Sequence, residues 1–474
     1  MNSSNVLEIF KDITRIPRES GHEERMFEFL CGFAEKRGLE YHVDEIGNVC
    51  IIKQASPGKE NVPALVLQGH QDMVCEKRTG VEHDFLTDPI NYVIEDGWMV
   101  AKDTTLGADD GIGVAAMLAL LESDLPTGRL ECVFTVSEET GMDGAFGMLP
   151  GFFTGKTLIN LDSEDEGQMF IGCAGGLETM ATFEYEREPF TPGFAPVKLE
   201  ITEAVGGHSG DDIDKGRANT IQLMARFLSG ELGDNMQLIM FRGGNKHNAI
   251  ARECEAIVAV PDRPAFISRF QAFAKDVKSE YSKTEPFLRL SAENFRCTEK
   301  PIDSDVATRL VRSLFACPHG VDSMSQEIPG LVETSTNLAA VRMRNSGKIE
   351  ILTSQRSSVA SERRMIASKV EACFRLAGAT VEHTSEYPGW KPNVDSAILK
   401  LCVDSYKRLF GREPEVKAIH AGLECGLFGE KFGDLDMISF GPTLRGVHSP
   451  GERLELASLD KFVDHLVDVV TSFA

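Results

Sequence analysis

The chain has 474 residues, too many for one ordinary domain and enough for two or three. Hydrophobic residues make up 42% and charged residues 26%, the make-up of a soluble globular protein. A net charge of −24 repels nucleic acid and anionic lipid, so neither is expected as a partner.

Val6, Ile9, Phe10 and Ile13 recur at helical spacing behind a run of capping-type residues. The amino terminus therefore reads as a helix and not as the apolar core of a signal peptide. Residues 64–67 (ALVL) read as a buried strand that Gly69 ends, just ahead of His70 and Asp72. LGADDGIG (106–113) leads into a helical run, GVAAMLALLESD (113–124), and LECVFTV (130–136) and TLINL (157–161) are further strands. This alternation indicates α/β layers.

GCAGG (172–176) breaks the chain. After it VKLEITEAV (197–205) alternates as a half-exposed antiparallel strand does. TIQLMARFLSGEL (220–232) and AFISRFQAFAKDVKSEY (265–281) read as amphipathic helices. PGWKPN (388–393) is a second break, followed by a helix, SAILKLCVDSYKRLF (396–410), a strand, MISF (437–440), and a last helix from about Ser458.

The expected architecture is an α/β domain with a mixed, mostly parallel sheet, formed by residues 1–179 and 389–474. An α+β domain of residues 180–388 interrupts it. No internal repeat or low-complexity segment stands out. Eleven cysteines, an odd number without a CxxC pair, fit reduced thiols in a cytoplasmic protein. No stretch approaches the roughly 18 apolar residues that cross a bilayer.

Ligand-type residues follow each strand. His70 and Asp72 follow the first, Glu138 and Glu139 the second, and Asp162 the third. His448 lies in the loop GPTLRGVHSPGERL beyond residues 437–440, and Asp109 stands at the start of a helix. A parallel sheet brings such points to one edge. Imidazoles and carboxylates without thiolate suit zinc or a related divalent ion. Five ligand residues exceed what one tetrahedral ion uses, and two ions roughly 3.5–4 Å apart sharing a carboxylate fit better.

Singly, each has an ordinary reading: a solvated Glu-Glu pair, a carboxylate stabilised by a helix dipole, a loop histidine. Their joint occurrence at strand ends argues for a site. Three other motifs fail. GFFTGKT (151–157) has three residues between its glycines and leads into a strand, so it is no phosphate loop. GGHSGD (206–211) is not GxSxG, and HEERM (22–26) lacks a second histidine.

At these residues the chain resembles the co-catalytic di-zinc exopeptidase clan and, within it, the aminoacyl-histidine dipeptidases, also called Xaa-His or cytosol nonspecific dipeptidases. Ordered matches carry the resemblance along nearly the whole length: LQGHQDMV, LGADDGIGVA, SEETGMDGAFG, NLDSEDEG, GCAGG, GGHSGDDI, NAIARE, GLVETSTN, HAGLECGLF and GPTLRGVHSP.

The resemblance implies a metal-dependent hydrolase that cleaves dipeptides with a free N-terminus by an activated water, with Glu138 as general base. Its cofactors would be two divalent ions, zinc first, with manganese or cobalt as alternatives. His70 and Asp162 would hold one ion, Glu139 and His448 the other, and Asp109 would bridge. Asp72 would orient His70.

The insertion would be the family's lid domain. His208 would contact the scissile carbonyl oxygen, while Asn248 and Arg356 would hold substrate, Arg356 by a bidentate grip on a terminal carboxylate. Asp110 departs from the asparagine of many relatives, and RANT (217–220) departs from their usual lid stretch. The acidic run Glu164, Asp165, Glu166 is a candidate for attracting a substrate ammonium, with a solvated loop the stronger alternative.

The expected partner is a small peptide, and the expected state a monomer or homodimer. The competing readings are an N-acyl amino acid deacylase or a tripeptide aminopeptidase of the same clan. A non-catalytic peptide-binding protein is disfavoured, because Glu138 and every ligand position are retained.

Overall fold

The structure, a computed structural model, describes residues 1–233, 235–344 and 346–474. Packing divides the chain into two units. The first comprises Met1–Cys173, Trp390–Ala418 and Leu423–Ala474, and the second Ala174–Gly389 with Ile419–Gly422. Residues 174–179, Gly389 and the short return 419–422, placed by sequence in the first domain, group with the second unit. The cause is local: the Ala174 amide donates to the carbonyls of Ile419 and Ala421 at 3.0 and 3.1 Å.

The first unit is built on an eight-stranded sheet. Its order is Glu40–Val43, Val49–Lys53, Leu130–Thr135, Leu65–His70, Thr157–Asn160, Asp436–Ser439, Gln168–Cys173, Glu415–Ile419. The four central strands, from Leu130–Thr135 to Asp436–Ser439, run parallel, and antiparallel pairs flank them. Leu65–His70 is buried along its whole length, as a parallel strand covered on both faces must be.

Helix Ala108–Glu122 packs on that strand and on helix Ser3–Ile13. Its almost uninterrupted apolar sequence matches its near-complete burial. Asn2 caps the amino-terminal helix through a reciprocal bond with Asn5.

Gly69 does not end its strand. The strand continues through His70, which lies opposite Thr135. A Cβ at Gly69 would stand 2.0 Å from Asp110 Oδ2, so this glycine marks a close approach.

The second unit holds a nine-stranded antiparallel sheet with its helices packed into one apolar core. Apart from the short strand Gly320–Met324, which pairs with Val332–Arg344, two halves share one connectivity, strand–helix–strand–strand–helix–strand. One half is Ala195–Thr202, Thr220–Ser229, Gln237–Gly243, Cys254–Val260, Arg263–Glu280 and Arg289–Asn294. The other is Gly175–Glu184, Ser304–Ala316, Val332–Arg344, Lys348–Ser357, Ala360–Leu376 and Thr380–Tyr387.

In both halves the strands lie in the order 4-1-3-2, and the halves meet second strand to second strand, Gly243 opposite Val341. The sequence shows no repeat because the two halves satisfy the same pattern with different apolar residues. Among the described residues no helix is long and apolar enough to cross a membrane.

Candidate metal centre

Within the first unit, the strand ends bring together the ligand-type residues. His70 is the last, fully buried residue of its strand. Asp109 lies at the start of the segment Ala108–Glu122, where Asp109 and Asp110 are still non-helical. Glu138 and Glu139 open the turn Glu138–Gly141 after strand Leu130–Thr135. Asp162 follows strand Thr157–Asn160 by two residues. His448 lies beyond Leu444–Arg445 in a left-handed conformation, φ 59°.

Asp109 stands between the two imidazoles. Its Oδ1 is 3.1 Å from His70 Nε2 and its Oδ2 is 3.0 Å from His448 Nε2. His70 Nε2 is also 3.5 Å from Asp162 Oδ1, and His448 Nε2 is 2.8 Å from Glu139 Oε1. The donor atoms form one compact group of His70, Asp109 and Asp162 and another of Asp109, Glu139 and His448. A third group joins His70, Glu138 and Glu139.

The charges are unbalanced. Among the described residues the ion-pair partners of Asp72, Asp109, Glu139 and Asp162 are His70 and His448 alone, and Glu138 has none. Burial, and then the neighbouring Asp109, push the Asp162 carboxyl well above the carboxylate range. Burial does the same to Glu138, opposed by the charge on His70 and reinforced by repulsion from Glu139, Glu424 and Asp109. Burial opposes charge on His448 too, yet its bonds to Asp109 and Glu139 raise it to about 11. This oxygen and nitrogen donor set without sulfur fits a hard to borderline divalent ion, whose charge would offset the crowded carboxylates.

Other residues hold these groups in place. Asp72 accepts from the amides of Glu138 (3.1 Å) and Glu139 (3.2 Å) and from Ser20 Oγ (2.7 Å), and its Oδ1 lies 3.3 Å from His70 Nδ1. Burial alone would raise its pKa, but these hydrogen bonds and the charge on His70 hold it at about 2.

Glu452, buried, accepts from the amides of Leu106, Gly107, Ala108 and Asp109 at 2.7 to 3.4 Å, fixing the segment that carries Asp109. Arg18, equally buried, donates to the carbonyls of Gln71, Asp72 and Gly107. Beneath the site one polar side chain from each central strand joins a buried network. Glu424 accepts from Gln68 (2.6 Å) and Thr135 (2.8 Å), Asn160 donates to Gln68 (2.7 Å), and Ser439 donates to Asn160 (2.5 Å).

Sequence reading missed Arg18, Glu424 and Glu452. Glu452 sits four residues beyond His448 in a loop already singled out, but its partners are backbone amides more than 340 positions away.

The second unit carries the other expected residues. His208 Nδ1 lies 3.3 Å from the amide nitrogens of Gly210 and Asp211 and 3.3 Å from Asp211 Oδ2. The carbonyl of Asn248 accepts from the Ser209 amide at 2.9 Å, which ties Asn248 to the His208 loop. Arg356 is buried on strand Lys348–Ser357, and its Nη1 donates to Tyr387 Oη at 3.1 Å. His420, hydrogen-bonded to Ser335 Oγ at 2.7 Å, is pushed down to about 3 by burial and then by the charge of Arg356. In the acidic run, Asp165 pairs with Arg445, and Glu166 with Arg412 and Lys461, which leaves Glu164 exposed without an ion-pair partner among the described residues.

The family described as Peptidase family M20/M25/M40 matches residues 66–472. The cytosol non-specific dipeptidase of Escherichia coli (strain K12) is 38% identical over 467 residues, covering 98% of this chain and 96% of its own length. The crystal structure of aminoacylhistidine dipeptidase from Vibrio alginolyticus superposes with a TM-score of 0.91 at 38% identity, over 99% of this chain and 97% of the other. A tripeptidase from Staphylococcus aureus subsp. aureus Mu50 shares the fold, with a TM-score of 0.58 at 17% identity over 99% and 98% of the two chains.

Proposed function

The chain belongs to peptidase family M20/M25/M40, a metal-dependent family, and from that premise we propose that it is a cytoplasmic dipeptidase using two divalent ions, zinc first. The observation that carries this reading is the position of Asp109, shared between a group with His70 and Asp162 and a group with Glu139 and His448. When bound, two such ions supply an acidified water, shifted from a pKa near ~16 toward roughly 7, and a Lewis acid for the scissile carbonyl.

The chain's own residues do the rest. Glu138, without a basic partner of its own, takes the proton of the attacking water and returns it to the leaving amine. Asp72 holds the amides of Glu138 and Glu139 and orients His70. His208 is assigned to the developing oxyanion. Asn248 and Arg356 are assigned to holding the substrate, Arg356 to its terminal carboxylate, and the second unit to the role of a lid. Glu164 is the member of the acidic run left for the substrate ammonium.

The test is a panel of dipeptides, their N-blocked forms and tripeptides, assayed with the metal content measured. The expected result is hydrolysis of free dipeptides alone, lost on chelation and restored at two ions per chain. Cleavage of N-blocked substrates moves the assignment to a deacylase, and preferred cleavage of tripeptides moves it to an aminopeptidase. Full activity in metal-free protein removes the mechanism.

A further inference from the structure

The second unit buries a cation that has no counter-ion among the described residues. Arg356 is 8% exposed, its Nε has no hydrogen-bond partner, and no carboxylate among the described residues lies within ion-pair distance. Its one hydrogen-bond partner among the described residues is Tyr387 Oη, which accepts from Nη1. Nε and Nη2, the edge of a guanidinium that receives a carboxylate side-on, stay free of protein partners. A desolvated charge left unpaired is costly, so the site is built for an anion that arrives with a ligand.

Tyr387 is itself held by two glycines. It is the last residue of strand Thr380–Tyr387. A Cβ on Gly176 would stand 2.3 Å from its Cε1, and one on Gly422 would stand 3.0 Å from its Cε2. Neither glycine has a positive φ, so backbone conformation does not require them. The ring does. Gly176 belongs to GCAGG and Gly422 to HAGLECG.

We propose that Tyr387, seated between Gly176 and Gly422, is a positioning residue that fixes the Arg356 guanidinium so that its Nε–Nη2 edge receives the terminal carboxylate of the substrate. This rests on the reading of Arg356 as the carboxylate-binding residue. The tyrosine hydroxyl accepts one N–H and so sets the plane of the fork. Phenylalanine at 387 keeps the ring in its slot and removes only that acceptor.

The experiment uses the metal-loaded enzyme and two probe pairs: a dipeptide against its C-terminal amide, and a product amino acid against its amide as competitive inhibitors. Tyr387→Phe is expected to raise KM for the dipeptide about tenfold with kcat nearly kept, to weaken inhibition by the free amino acid equally, and to leave both amides unchanged. Gly422→Ala, which displaces the ring, shifts the same constants in the same direction. Arg356→Ala abolishes the preference for acid over amide. If Arg356→Ala loses that preference while Tyr387→Phe keeps it, the role of Tyr387 is overturned and that of Arg356 stands. If Arg356→Ala keeps it, the carboxylate reading falls and the inference with it. A Tyr387→Phe variant whose amide constants change as much as its acid constants marks a merely structural tyrosine, and this also overturns the proposal.

Discussion

Glu138 and Glu139 are neighbours in one turn, but their surroundings assign them different tasks. Glu139 Oε1 is 2.8 Å from His448 Nε2, in a group with Asp109, whereas Glu138 has no ion-pair partner and the higher proton affinity expected of a buried, repelled carboxyl. Glu138→Gln should therefore lower kcat by about 10²–10⁴, the usual contribution of a general base, with metal content nearly unchanged. Glu139→Ala should lower metal content and rate together. Metal analysis beside steady-state rates checks both, and metal loss confined to the Glu138 variant would exchange the two roles.

These residues were readable because strand ends in parallel sheets gather side chains at one edge. Asp109 was harder, being ordinary as a helix-start carboxylate, and only its company gave it meaning. Arg18 and Glu452 were not readable at all. Each bonds to backbone groups brought close by the fold, and backbone partners leave no trace in residue identity.

The segment before helix Ala108–Glu122 shows how an element is fixed from a distance. Its first amides have no partner within the helix, and the Glu452 carboxylate takes four of them, two on Oε2 and two on Oε1. Glu452→Gln keeps the size but turns an NH2 group toward two of those N–H donors. A buried donor left unsatisfied costs about 1–3 kcal/mol, so the variant should melt earlier and bind metal more weakly as Asp109 shifts. Thermal unfolding and a metal titration decide it, and a variant equal to the parent in both would show that Glu452 does not hold this segment.

Strands of the first unit were legible as short continuous apolar runs between turn signals. The end of strand Leu65–His70 was not, because Gly69 reads locally as a terminator while its real cause is the Asp110 carboxylate packed against it. In the second unit individual helices were legible from their spacing. The paired halves were not, since the repeat lies in strand order and not in residue identity.

On the scale of the whole molecule, that pairing bears on whose site His208 serves. A single half would leave the strand Gln237–Gly243 or Val332–Arg344 at its edge, with unpaired backbone groups that invite a second chain. Here the two edges meet within one chain at Gly243 opposite Val341, and the outer strands among the described residues are Arg289–Asn294, Thr380–Tyr387 and the short Gly320–Met324, which pairs with Val332–Arg344. The contact between the two halves lies within one chain, and on that ground His208 is expected to act for its own chain. The test is to mix Glu138→Ala protein with His208→Ala protein under conditions that allow subunits to exchange. Each variant alone should be weakly active, and the mixture should show no more than the sum of the two. Recovery toward one quarter to one half of the parent rate would mean that an intact His208 from one chain completes the intact Glu138 site of another, and the own-chain assignment would be lost. The readout is free of folding artefacts, because each variant supplies the mixture with a centre or a histidine that the other lacks.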